Sequence, residues 1–230
     1  MILCGALAVA ATGAASAQLK PEVQTGSLIP VQPQAVEAAR AGEVRKGFAR
    51  CIYRNAPRKA VALLEHSDPQ RVDLAAAGLK NVSADLGMER CLSAEVGSGQ
   101  SALGMKFPPA VLRDLLAEEA YLAANRTVPP TPTGDLSMAS SHYVSTDDAL
   151  AKAQAIAAFT DCTVTTDVVH ADGLLRTMPG SIVEHSAAQA LAPSLGGCLV
   201  QGQEFKLTPG SIRALLAYAM WNRFARGVGQ

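Results

Sequence analysis

Few residues of this chain are of a type and spacing that could do chemistry, and the cysteines lead them. Of five cysteines, Cys4 lies in an apolar leader, which leaves Cys51, Cys91, Cys162 and Cys198 as an even set. No Cys-x-x-Cys pair and no close Cys/His cluster is present to lower a thiol pKa or to surround zinc, so no metal site is expected. Disulfide formation remains, and it belongs to an oxidising compartment. Four cysteines allow three pairings.

The histidines are the residues an enzyme would need. Glu65-His66-Ser67 and Glu184-His185-Ser186 look like one motif written twice. The positions argue otherwise, because His66 falls 15 residues after Cys51 whereas His185 falls 23 after Cys162. Adjacent helical residues also face different ways, so Glu-His-Ser in sequence is not a triad in space. Surface or capping roles fit these histidines better. The alternative is a periplasmic hydrolase in which His66 or His185 works with a Ser or carboxylate from elsewhere in the fold. His142 lies in a Ser-rich segment and His170 near Asp172, neither with a set of partners. Gly97-Ser98-Gly99 lacks the strand-turn-helix context of a nucleophile elbow. There is no phosphate-binding loop, dinucleotide fingerprint or His-Glu-x-x-His, so no cofactor is expected.

Arg113 and Arg213 are the polar pair of most interest. Each stands early in a Pro-x-x-x-Arg-x-Leu-Leu-Ala segment, Pro109 to Ala117 and Pro209 to Ala217. Two guanidiniums converging there would hold an anion or a partner's carboxylate. Their structural alternative is an ion pair or hydrogen bonds to a neighbouring loop, and a repeated residue indicates first a repeated structural role. Tyr121 and Trp221 match at the same offset of 100 and complete the candidate ligand-binding set. An aromatic residue at that spacing also fits the edge of a core.

These positions belong to a wider pattern. Phe48-Ala49-Arg50-Cys51 matches Phe159-Thr160-Asp161-Cys162 at an offset of 111, and the same offset carries Leu63-Leu64 onto Leu174-Leu175. Cys91-Leu92 matches Cys198-Leu199 at 107. The same order appears twice, which predicts two tandem, pseudo-symmetric helical units and selects the pairs Cys51–Cys91 and Cys162–Cys198, one disulfide per unit. The fold class is mainly α. Ile212, Leu215, Leu216, Ala219 and Met220 form a stripe of helical period, echoed by Val111, Leu112, Leu115 and Leu116. Thr208-Pro209 supplies an N-cap and an N1 proline. Ser145 or Thr146 is expected to cap a helix leading to Cys162, with Asp147 and Asp148 in its first turn explained by the helix dipole. Ser181 and Glu184 have capping-box spacing. Met105-Lys106-Phe107 and Phe205-Lys206-Leu207 alternate as a short strand in each unit would.

The pattern of Cys, Leu-Leu, Cys-Leu and Pro-x-x-x-Arg-x-Leu-Leu-Ala resembles a loose group of small exported alphaproteobacterial proteins with tandem cysteine-containing helical repeats and no assigned function. The resemblance covers roughly residues 48 to 122 and 159 to 222. It implies a duplicated, secreted protein and carries over no catalytic residue.

Met1 to Ala17 is uncharged and ends in Ala15-Ser16-Ala17, the small-x-small pattern of a signal peptide. The expected organisation is therefore a signal peptide at 1–17, an extension at 18–33, a helical repeat at 34–126, a Pro/Ser-rich linker at 127–145 and a second repeat at 146–230. Lys and Arg together number 20, as do Asp and Glu. That balance removes the electrostatic case for binding nucleic acid. No stretch after the leader is long and apolar enough to span a bilayer. The expectation by elimination is a periplasmic or secreted, non-enzymatic structural or interaction protein, binding a protein, peptide or small ligand.

Overall fold

The computed structural model describes residues 38–96, 107–132, 142–199 and 207–227. The first described helix is α1 (Ala38–Asn55), which Pro57 ends. Proline has no N–H to continue the helical ladder, and its ring clashes with the preceding turn. Pro57 then serves at the start of α2 (Pro57–Glu65), where a missing N–H costs nothing. Short helices α3 (Val82–Asp85) and α4 (Met88–Val96) follow, and then α5 (Pro109–Ala124). The later part runs through α6 (Asp147–Thr166), α7 (Val168–Arg176), α8 (Ile182–Ala190), α9 (Ala192–Cys198) and α10 (Pro209–Phe224). Strand is almost absent among the described residues, where an isolated antiparallel bridge joins Ser67 and Val72. Of the two expected strands, only Phe107 and Leu207 are described, both in irregular backbone, and the other positions lie outside the described residues. The expected signal peptide, the 18–33 extension and Gly97-Ser98-Gly99 lie outside them too.

Local caps set several boundaries. Thr208 caps α10 with Pro209 in its first turn, as the sequence predicts, and Ser211 adds the return bond of a reciprocal capping box. Ser181 accepts from the Glu184 N–H at the start of α8, while the Glu184 carboxylate takes the Gly180 N–H at 2.6 Å. The expected cap of α6 is not made. Thr146 occupies the N-cap position without a side-chain bond, and the Ser145 hydroxyl donates to Asp68 at 2.9 Å instead. Both acids stand in the first turn, and the chain enters through Asp147 at φ 53°, a left-handed conformation that aspartate tolerates.

Helices α5 and α10 make the most extensive contact in the molecule. Around them, α1 packs on α5, α4 and α2, and α6 packs on α10, α9 and α7. Leu112, Leu116, Ala117, Ala120 and Tyr121 of α5 are buried, as are Ile212, Leu216, Ala217, Tyr218, Met220 and Trp221 of α10. A helix buried on so many sides is a central one, and the others contribute one face each. The Leu63-Leu64 and Leu174-Leu175 pairs are fully buried in the same core cluster, each side chain stabilising by about 2 kcal/mol. Cys51 is bonded to Cys91 and Cys162 to Cys198, with Cα–Cα distances of 5.5 and 5.8 Å. One bridge ties α1 to α4 and the other ties α6 to α9. These are the pairings that the repeated spacing selects. Two disulfides point to an oxidising compartment. Among the described residues, no helix is long and apolar enough to cross a membrane.

Candidate functional site

Arg213 is only 5% exposed, and its whole guanidinium is used within the protein. Its Nε donates to Glu184 at 2.7 Å. One terminal nitrogen donates to Glu118 at 2.8 Å and to the Leu175 carbonyl at 3.2 Å, and the other to the carbonyls of Leu174 and Thr177, both at 2.8 Å. The last carbonyls of a helix run short of helical donors, although that of Leu174 also accepts the Thr177 N–H, and a cation there faces the negative end of the helix dipole. Lys46 of α1 completes the cluster by bonding Glu118 and, at 2.9 Å, the Leu175 carbonyl. Two cations and two carboxylates thus balance in a buried network, which offsets the cost of removing each from water.

Arg113 is equally buried. Its Nε and one terminal nitrogen donate to Asp114 at 2.8 and 2.6 Å, and the other bonds the carbonyl of Asp68. The guanidinium also lies 5.1 Å from the centroid of the Tyr218 ring, a cation–π contact. Burial pushes the Asp114 carboxyl up to about 6, against the opposing pull of Arg113. The two arginines therefore do not share one anion cradle: Arg113 attends the loop after α2, and Arg213 the end of α7.

Tyr121 and Trp221 both lie in the core, deeper than an edge position. The Tyr121 hydroxyl donates to Asp172 at 2.7 Å, and Arg176 holds the same carboxylate. Burial, followed by that neighbouring carboxylate, raises the phenol's pKa well above its ordinary value. Trp221 differs in having an opening beside it. A cleft of about 470 Å³ is lined by α2 residues from Pro57 to Glu65, Tyr53 of α1, Ala120 and Ala124 of α5, and Trp221 and Ala225 at the end of α10. Of the four candidate ligand-binding residues, Trp221 is the one in the lining of this cleft.

None of the histidines lines the cleft beside Trp221. The His66 and His142 rings meet edge to face at 6.3 Å. His185 lines a second, smaller cleft of about 360 Å³ with Ala188, Leu195, Leu199, Leu207 and Ile212. Neither His66 nor His185 is brought into a hydrogen bond with a serine or carboxylate among the described residues. His170, for which the sequence offers no set of partners, does have one in Asp167. Its Nδ1 lies 2.8 Å from Asp167, the N-cap of α7, which also accepts from the Ser194 hydroxyl. The carboxylate stands between serine and histidine, so this is a helix cap and not a nucleophile–base pair.

The sequence does not single out Asp68, Lys46 or Glu118, yet these organise the polar interior. Asp68 accepts from the N–H groups of Gln70, Arg71, Val144 and Ser145 and from the Ser145 hydroxyl, at 2.6 to 2.9 Å. Burial raises its pKa, but those hydrogen bonds win and hold it below the ordinary carboxylate value. The available signal was slight: Lys46 shares its helical face with the small, buried Gly42 and Ala49, four residues before and three after it. Comparison of the chain with family models, with curated proteins and with solved structures finds no match.

Proposed function

We propose that this chain is an exported, non-enzymatic binding module built from two similar helical units, with its binding place in the cleft beside Trp221. The observation that carries the reading is that cleft, whose volume falls within the roughly 300–1,000 Å³ of small-molecule sites. Its walls come from helices of both units, so its shape depends on their docking.

The duplication is supported by helix bounds. Shifting α2 by 111 positions gives the bounds of α7, and shifting α5 by 100 gives those of α10. Equivalent side chains also exchange across the central pair. Arg213 of α10 bonds Glu118 of α5, while Arg113 of α5 meets Tyr218, the residue equivalent to Glu118. Removal of Met1 to Ala17 on export to the periplasm or beyond agrees with the oxidised cysteines.

Trp221 is the single tryptophan of the chain, so its fluorescence reports on this cleft without interference. A library of small molecules and short peptides should contain compounds that change its emission saturably, and Ala62→Leu, which fills the cleft, should abolish the change. A library in which every emission change survives that substitution contradicts the reading.

A further inference from the structure

The polar groups in the cleft are mostly donors without a use. The Trp221 indole is 2% exposed, and its N–H makes no hydrogen bond among the described residues although the ring lines the opening. The indole nitrogen is not sealed from solvent, so it can donate to a molecule in the cleft. Tyr53 lines the same cleft with a hydroxyl that has no partner among those residues, and burial raises its pKa, which keeps it a donor. Arg58 stands in the lining with an exposed guanidinium that makes no ion pair or hydrogen bond with them. The remaining wall is mainly apolar: Val61, Ala62, Ala120, Ala124 and Ala225. Glu65, the one carboxylate among the described residues of the lining, is engaged in an interaction of its own. It lies seven residues beyond Arg58, which on a helix is about 10 Å along the axis. One end of the cleft is therefore cationic and separated from the acid at the other.

Resting on the reading of this cleft as a binding place, we infer that its ligand is a small anionic amphiphile, a carboxylate on an apolar body. The carboxylate meets Arg58 and accepts from the unused donors, and the body covers the alanine and valine wall. A guanidinium recognises a carboxylate through charge-assisted hydrogen bonds, and an apolar body gains by leaving water. A fatty acid and a peptide ending in an apolar residue share this chemistry, and the experiment separates them.

The test is titration of the intact, oxidised protein with decanoate, decanol, decyltrimethylammonium and a short peptide ending in leucine, followed by Trp221 emission. Decanoate should bind about tenfold more tightly than decanol, an advantage that shrinks with added salt and disappears in Arg58→Gln. Arg58 is exposed, so this variant keeps its fold, and unchanged thermal unfolding verifies that. Tighter binding of the peptide than of decanoate identifies the chain terminus as the source of the carboxylate and still supports the inference. Equal binding of decanoate and decanol, or preference for the cation, overturns the inference while leaving the cleft as a binding place. Failure of all four probes, while other molecules bind in an Ala62-dependent way, also overturns the inference alone. Failure of every compound removes both.

Discussion

At Asp68 five donors converge on one buried carboxylate, two of them from the loop after α2 and three from Val144 and Ser145. Asp68→Ala leaves those donors without their acceptor, those of Ser145 at a buried position. Unsatisfied buried groups cost about 1–3 kcal/mol each, and partial relaxation shares them, so an overall loss of about 3–4 kcal/mol is expected in a urea melt. Because its folded pKa lies below the unfolded one, the stability from Asp68 is present above the unfolded value of about 3.9 and is lost as pH falls through the folded value. Asp114 has the opposite sign. Its carboxyl is raised to about 6, so between about pH 4 and pH 6 the folded chain binds more protons than the unfolded one. Stability from this residue therefore falls as pH rises across that window, by about 2–3 kcal/mol. Melts of Asp114→Asn from pH 4 to pH 7 should lack that fall. An identical pH slope in the variant would show that Asp114 is not the group responsible. Neither aspartate was legible in the sequence: Asp68 is set by donors that include Val144 and Ser145, more than 70 residues on, and Asp114 by a burial that outweighs its neighbour Arg113.

Among the elements, the contact of α1 with the segment leading into α8 is unusually close. A Cβ on Gly42 would lie 2.1 Å from the Pro179 carbonyl oxygen, a backbone atom that cannot turn aside. Gly42→Ala is expected to cost about 2 kcal/mol or more through forced separation of α1 from that segment. Gly47 offers a contrast on the same helix. A Cβ there meets the Glu95 carboxylate, the far end of a flexible side chain, which can move away. Gly47→Ala should then be neutral or stabilising by up to about 1 kcal/mol, since alanine is the better helix former. Thermal melts of the two variants check this, and equal destabilisation would contradict the packing described. The elements were legible where their signals were local. Thr208-Pro209 caps α10 because both partners lie within one turn. The α6 cap failed because Asp68, more than 70 residues earlier, takes the Ser145 hydroxyl.

For the whole molecule, the disulfides were readable because a repeated order of residues restricts pairing even where contacts are invisible. Each closes a separation of 40 or 36 residues, worth about 3.5–4 kcal/mol by the chain-entropy model. Cys162→Ala with Cys198→Ala should lower stability by about that amount, and peptide mapping of the unreduced wild type should recover Cys51–Cys91 and Cys162–Cys198. The polar interior was less accessible to sequence reasoning. Arg213 stood out by its equivalent, Arg113, but its saturation by Glu118, Glu184 and the end of α7 depends on helices meeting across 29 to 95 positions. Trp221 was legible as a candidate, whereas the cleft beside it arises only when α2, α5 and α10 assemble. The most direct test of the central claim follows the Trp221 indole N–H proton by NMR in the wild type and in Ala62→Leu while ligand is added. A saturable shift in the wild type that is lost when the cleft is filled is the predicted result. An indole resonance that stays fixed while ligand binds elsewhere would contradict the account.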